Sequence, residues 1–279
     1  MADRPVALIT GACGGMGQAC ARLIGRTHVL ALSDIDEGRL RTLEQALTAE
    51  GHTVAAIHAG DYTCRGTPTA AVQAARGAGP LEALVHTAGL SPIQTTWDRI
   101  LVTNTVATAE LLDAVAAGEG GPPNAVLIAS IAGHAGLAMP HAQLDALLDA
   151  PLRDDLLTLA EPLLRAASDP ALPLGMEMAS YQYSKSAVIR AAERRAKAWG
   201  RLGRRINTIS PGVTRTPMGV AEMEGNPVAK ATADGAPLGV ASPVGIANAV
   251  EFLLSPLAAS ITGTDLRIDG GLMPASRYP

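Results

Sequence analysis

Short runs of aliphatic and β-branched residues alternate along the chain with longer stretches in which apolar side chains recur every three to four positions. Val6 to Thr10, Val29 to Ser33 and Thr53 to His58 read as strands, each followed by a helical pattern, at 16 to 25, 36 to 50 and 67 to 77. Four further runs, Leu81 to Thr87, Asn124 to Ser130, Arg205 to Ser210 and Asp265 to Asp269, are interspersed with helical patterns at 97 to 117, 184 to 202 and 243 to 254. Strands that are apolar on both faces belong in a parallel sheet covered by crossover helices. The expected architecture is α/β: a doubly wound, parallel, seven-stranded sheet of the Rossmann type forming one domain over 1–279. One stretch breaks the rhythm. Between Ser130 and Tyr181 leucine-rich fragments are cut by Pro140, Pro151, Pro162, Pro170 and Pro173, so 134–179 is expected to be a helical insertion.

Composition narrows the function classes. With 48% hydrophobic residues among 279, the chain has material for one large core, and it exceeds a usual α/β unit of about 250 residues. A net charge of −4 offers no uniformly basic surface, and one Phe, two Trp and four Tyr offer no stacking platform, so nucleic acid is not expected as a partner. Cys13, Cys20 and Cys64 form no C-x-x-C pair, and the six histidines lack ligand spacing, so no metal is expected. Neither a targeting segment nor an 18-residue apolar span is readable, and the expected location is the cytoplasm, away from membranes.

The first strand ends in Thr10-Gly11-Ala12-Cys13-Gly14-Gly15-Met16-Gly17, where a helix begins. Glycines let backbone approach a pyrophosphate, which then meets the amides and dipole of the helix N-terminus; a plain strand-to-helix turn would look similar. Position favours the dinucleotide. The second strand ends at Asp34, 23 residues after Gly11, where a carboxylate can accept from ribose hydroxyls and repel a 2′-phosphate. The expected cofactor is therefore NAD, although a solvent-facing turn acid is the competing reading of Asp34. Asp61 follows the third strand and could accept from an adenine amine or be a structural loop acid. Ala88 and Gly89, after the fourth strand, are small enough for close backbone approach.

At the chemical end, Tyr181-Gln182-Tyr183-Ser184-Lys185 poses a choice of tyrosine. Residues four apart share a helix face, so Tyr181 pairs with Lys185 and Tyr183 is the packing residue. An ammonium beside a phenol is expected to lower its pKa from about 10 toward the useful range. Ser130 closes the fifth strand on the ligand side of the sheet, as a substrate hydrogen-bonding group or a strand-end cap. Asn104 is a mediocre mid-helix residue. Pro211, Gly212, Val213 and Thr216 lie in a turn with backbone and hydroxyl groups open to a carboxamide.

Taken together, these residues resemble the short-chain dehydrogenase/reductase family along almost the whole chain. The glycine motif corresponds to Thr10, Gly11, Gly15 and Gly17, the tetrad to Asn104, Ser130, Tyr181 and Lys185, and the late motif to Pro211 and Gly212; Gly263 to Gly271 looks like the last strand. His86-Thr87 departs from the family's usual Asn-Asn and puts the support of strand four in question. The stretches Ala196 to Gly200 and Asn207 to Gly212, with the long segment before Tyr181, are similar to the bacterial 3α-hydroxysteroid dehydrogenase/carbonyl reductase branch. The resemblance implies NAD-dependent interconversion of a secondary alcohol and a ketone, on a bulky apolar substrate. It implies that Tyr181 moves the oxygen's proton, Ser130 positions that oxygen, Lys185 binds the nicotinamide ribose and lowers the Tyr181 pKa, and Asn104 holds a water.

The insertion carries seven acids against Arg153 and Arg165, so the acidity of the chain concentrates there. Leu144, Leu147, Leu148, Leu152, Leu156 and Leu163 recur near helical spacing, for packing or as a lid over the substrate mouth. Its charge complements the arginine-rich helix at 184 to 202. Family members commonly pair through helices corresponding to 97–117 and 184–202, so a homo-oligomer, dimer or tetramer, with contacts altered by the insertion is expected. Two other readings compete. A ketoacyl carrier-protein reductase would use the arginines for docking, but Asp34 argues against it; an inert NAD-binding sensor would not need Asn104, Ser130, Tyr181 and Lys185 together.

Overall fold

The computed structural model describes residues 4–118, 120–169 and 174–277. Strands β1 (Val6–Thr10), β2 (Val29–Asp34), β3 (Val54–Ala59), β4 (Leu81–His86), β5 (Asn124–Ile128), β6 (Ile206–Pro211) and β7 (Asp265–Ile268) form one parallel sheet in the order β3-β2-β1-β4-β5-β6-β7. Every expected strand is present. The order reverses at β1, whose Thr10 lies level with Ser33 of β2 and His86 of β4, so the loops leaving β1 and β4 diverge over a crevice at the carboxyl edge.

Alternation along the strands builds two cores. Ala7, Ile9, Leu30 and Leu32 pack under α1 (Gly15–Ile24), α2 (Glu37–Ala49) and α12 (Pro243–Leu254). Val6, Leu8, Leu84 and Leu127 pack under α3 (Thr67–Gly77), α5 (Ala107–Ala117) and α9 (Gly175–Arg201). Each fully buried leucine contributes about 1.5–3 kcal/mol, so both faces are firmly covered. The apolar run Trp97–Ala117 is long enough by composition to cross a membrane but is 67% buried inside the fold. It is not one regular helix: α4 (Trp97–Leu101) passes through a wide π-helical turn, Val102–Val106, into α5. Asn104 sits in that turn, where the backbone departs from the regular α-helical ladder.

The expected helix at 184 begins instead at Gly175, because no proline or turn residue interrupts 175–183; Tyr181 and Lys185 therefore lie well inside α9. The insertion folds as α6 (Ile131–Ala138), α7 (Ala142–Asp149) and α8 (Leu156–Ala167), while Pro170 and Pro173 lie outside the described residues. At Gly133 a Cβ would sit 2.8 Å from the Lys185 carbonyl carbon, so the bare glycine sets how closely α6 approaches α9. Leu144, Leu147, Leu148, Leu156 and Leu164 form a third core with Leu101, Val106, Ala179 and Tyr183. Arg190 bridges Asp145 and Asp149 at 2.9 and 2.8 Å, and Arg194 also pairs with Asp149, so the acidic insertion does face the arginine-rich helix. Leu152 is left exposed and takes no part in that core, and Leu163 only borders it.

Candidate active site

The crevice is built first by backbone. Gly11 has φ 65°, and a Cβ there would lie 2.6 Å from the Ala88 amide nitrogen, so the β1 turn and the end of β4 meet chain against chain. Gly14 precedes α1, whose first residues Gly15, Met16 and Gly17 present amides and the positive end of the helix dipole to the crevice. Asp34 is fixed over this loop: its two carboxylate oxygens accept from the amides of Cys13 and Ile35, each at 2.8 Å. Arg39, from the first turn of α2, donates to the Cys13 carbonyl at 2.7 Å. Sequence reading of the loop alone missed this cation, which only the fold brings beside Asp34. Burial and the Asp34 charge push the Cys13 thiol up to about 12, so Cys13 offers backbone here and no reactive sulfur. Asp61 accepts from the Thr63 amide at 2.8 Å and pairs with Arg99 at 3.1 Å. Burial opposes its ionised form, but Thr63 and Arg99 outweigh that and hold the carboxyl below its usual range.

His86 answers the question raised by its departure from the family pattern. Its Nδ1 lies 2.6 Å from Thr10 Oγ1 and its Nε2 lies 2.8 Å from Thr108 Oγ1, while Thr108 donates to the Asn104 carbonyl at 2.8 Å. Since Thr108 uses its proton on Asn104, Nε2 must be the donor to Thr108 and Nδ1 the acceptor from Thr10. Complete burial and the nearby Lys185 charge depress His86 to about 3, which keeps it in that neutral form. The imidazole thus ties the end of β1 to the wide turn that carries Asn104.

The Asn104 side chain closes the next layer. Its Oδ1 accepts from the Leu90 amide at 2.9 Å, and its Nδ2 donates to the Leu90 carbonyl and to Ser184 Oγ, both at 3.1 Å. Ser184 in turn donates to the Tyr181 carbonyl at 2.9 Å. Ser130 follows β5 and caps α6, its Oγ accepting from the Ala132 amide at 3.1 Å, which leaves the hydroxyl proton for another acceptor. Tyr181 from α9 reaches the same point. Burial raises its phenol above the ordinary tyrosine range, the Glu222 charge adds to this, and the Ser130 hydroxyl opposes it. The expected depression by Lys185 is not found, for a geometric reason. Lys185 Nζ donates to the Ile128 carbonyl at 2.9 Å and lies 5.9 Å from the Tyr181 ring centroid, over the ring. Burial lowers Lys185 to about 8, and Glu222 partly restores it. Tyr183 is buried and donates to the Met139 carbonyl at 2.9 Å, as the spacing argument assigns it.

Met16, Gly89, Ser130, Tyr181, Lys185, Pro211, Gly212, Val213 and Thr216 line one cavity of about 290 Å³. Gly11, Cys13, Asp34, Asp61 and Ala88 lie outside it, beyond the ends of β1 to β4, and Asn104 stands behind it. Further wall comes from Leu90, Pro92 and Ile93, from the end of β5 and the start of α6, from α10 (Pro217–Gly225) and α11 (Pro227–Asp234), and from Leu272. Of the described residues in 134–179, Met178 alone lines the cavity. Within the described residues α7 and α8 pack Leu144, Leu147, Leu148, Leu156 and Leu164 against α4 and α9, and residues 217–232 wall the mouth. Among the described residues no cluster of metal-ligating side chains occurs. The backbone cradle at the glycine loop and the fixed Asp34 carboxylate, at the carboxyl edge of the sheet, fit a dinucleotide.

Comparison with known proteins gives the same picture. Residues 5–142 match the short chain dehydrogenase family, and residues 163–273 match the family described as Enoyl-(Acyl carrier protein) reductase. The chain is 32% identical over 259 residues to 3-alpha-hydroxysteroid dehydrogenase/carbonyl reductase of Comamonas testosteroni, covering 88% of this chain and 96% of the relative. It is 29% identical over 265 residues to short-chain dehydrogenase/reductase bsc3 of Alternaria brassicicola, covering 93% of each. Among solved structures, 3-alpha-hydroxysteroid dehydrogenase from Pseudomonas sp. B-0831 complexed with NADH aligns with a TM-score of 0.77 and 28% identity over 98% of both chains. With this sheet order, this crevice and these relatives, the chain belongs to the short-chain dehydrogenase/reductase family of oxidoreductases.

Proposed function

We propose that the protein is an NAD(H)-dependent dehydrogenase/reductase that interconverts a secondary alcohol and a ketone on a bulky, largely apolar substrate of the hydroxysteroid, cyclic or aromatic kind. The observation that carries this reading is the convergence of Ser130, Tyr181 and Lys185 on one apolar-walled cavity that Met16, at the start of α1, also lines. Gly11, Cys13, Gly15, Met16 and Gly17 hold the pyrophosphate through backbone, and Asp34 accepts from the adenosine ribose; Asp61, Ala88 and Gly89 border the adenine and ribose. Pro211, Gly212, Val213 and Thr216 hold the carboxamide. Asp34, fixed by two amides, disfavours a 2′-phosphate and supports NAD over NADP.

A bound nicotinamide supplies or accepts the hydride. In reduction, the Tyr181 hydroxyl proton passes to the substrate oxygen; in oxidation the phenolate takes it back. Ser130, its oxygen already accepting from Ala132, donates its own proton to the substrate oxygen and so fixes that atom beside Tyr181. Lys185 binds the nicotinamide ribose and, as the ammonium, favours the phenolate. The side-chain amide of Asn104 is committed to Leu90 and Ser184, so the acceptor left for a water is its main-chain carbonyl, which still has a lone pair beyond the bond from Thr108.

Buried Cys13 and Cys20 and exposed Cys64, all unpaired, support a cytoplasmic location. The protein associates as a dimer or tetramer through contacts other than the face of α4 and α9 that the insertion covers; light scattering of the purified chain measures this. Initial rates with NAD and NADP against steroids, cyclic alcohols and aromatic ketones test the reaction. Tyr181→Phe is expected to lower turnover by about a thousandfold while NAD binding stays intact, and undiminished turnover would end the assignment.

A further inference from the structure

The wall supplied by α10 and α11 is apolar at Met218, Val228 and Ala229, with one charged exception. Glu222 lines the same cavity, half-buried, and its charge acts on both Tyr181 and Lys185. Local structure gives no reason for an acid there. Glu222 lies toward the C-terminal end of α10, where the helix dipole disfavours a negative charge, and α10 is already capped by Thr216. Among the described residues no Lys or Arg forms an ion pair with it. Burial opposes its ionised form, and the Ser91 hydroxyl and Lys185 favour it. Ser91 is itself wholly buried, and its Oγ has no close hydrogen-bond partner, so its dipole is available to steady the Glu222 charge.

We propose that Glu222 determines specificity by accepting a hydrogen bond from a donor group, ammonium or hydroxyl, that the substrate carries away from its reacting carbon. A wholly hydrocarbon substrate would seal the carboxylate from water and leave it only the Ser91 hydroxyl and the Lys185 charge. A buried acceptor left unpaired selects strongly against ligands that lack the donor. A substrate with a carboxylate at that position would meet like charge. The ammonium is the stronger partner, since the bond is then charge-assisted at both ends. The inference rests on Ser130, Tyr181 and Lys185 being the reacting groups, and Glu222 acts on the far end of the substrate bound to them.

Four ketones matched in shape test it: 4-aminocyclohexanone, 4-hydroxycyclohexanone, 4-methylcyclohexanone and 4-oxocyclohexanecarboxylate. Initial rates with NADH, and calorimetric binding of each ketone to the NADH-loaded enzyme, are measured for the wild type, Glu222→Gln and Glu222→Asp. The wild type is expected to prefer the amine over the methyl compound by about tenfold or more in kcat/KM. Glu222→Gln should reduce that ratio by about tenfold and raise relative use of the carboxylate. A loss confined to the amine identifies an ammonium ligand, and a parallel loss on the alcohol identifies a hydroxyl. Because Glu222 raises the Tyr181 phenol, Glu222→Gln should also move the pH limb of that group to lower pH. No donor preference in the wild type, or the same loss on all four ketones in Glu222→Gln, overturns the proposal. Should Glu222→Gln fail to fold, the wild-type ranking and Glu222→Asp decide. Full turnover of 4-methylcyclohexanone by Tyr181→Phe would instead overturn the assignment of the reacting groups.

Discussion

Two helical segments without a strand flank the substrate cavity, and they differ in what holds them. The insertion α6 to α8 is tied down by a leucine core, by Arg190 and Arg194 on its carboxylates, and by a glycine contact with α9. Segment α10 to α11 buries little of itself, Gly219 and Ala233 within its helices, and turns its side chains toward the cavity. The longer and more conspicuous segment is thus a brace for the helix that carries Tyr181 and Lys185, and the short one shapes the substrate space. Acidic, leucine-rich sequence beside a site marks where a segment packs before it marks what the site binds.

The strongest way to break that comparison is to perturb each side alone. Tyr181→Phe, on the braced helix, should abolish nearly all turnover with no loss of stability, which enzyme rates and thermal melts report together. Leu164→Ala, in the insertion core, should cost about 2–5 kcal/mol and lower the melting temperature, while KM for a good ketone stays unchanged in the protein that remains folded. Met218→Ala, in the pocket wall, should do the reverse, changing KM several-fold with a stability change within about 0.5 kcal/mol. A fall in stability for Met218→Ala as large as that for Leu164→Ala would show that both segments are structural.

His86 sharpens the comparison from behind the site. Its folded pKa, about 3, lies below the ordinary histidine value of 6.5. Between those values the unfolded chain binds more protons, so stability falls as pH falls. The expected loss is about 2 kcal/mol from pH 7.5 to pH 5, read from urea midpoints, and His86→Asn should remove that histidine contribution. The smallest expected effect is at the adenosine end: Asp34→Asn should shift the NAD to NADP preference by about tenfold in kcat/KM, and an unchanged ratio would transfer that role to Arg39.

Much of this was legible in the residues. Each strand was written as a short apolar run, and the four-residue spacing of Tyr181 and Lys185 separated the tyrosine that lines the cavity from Tyr183, which packs. The helix start was missed by about two and a half turns because nothing in 175–183 either caps or breaks a helix strongly. The net lowering of the Tyr181 phenol expected from Lys185 was not met, because burial and the Glu222 charge raise it, and spacing fixes a shared face but not whether Nζ reaches the hydroxyl or the Ile128 carbonyl. Arg39, Ser91 and Glu222 carried no local signal at all. Their importance arises from contacts with residues far away along the chain.

By itself the sequence determined the sheet, the glycine turn, and the identities of the groups gathered at its carboxyl edge, because these follow from short-range periodicity and backbone freedom. Only the tertiary structure decided which face of α9 the insertion covers, which segment walls the cavity, and that a lone carboxylate looks into it. Those outcomes depend on burial and through-space charge, which are properties of the packed chain and of no segment alone.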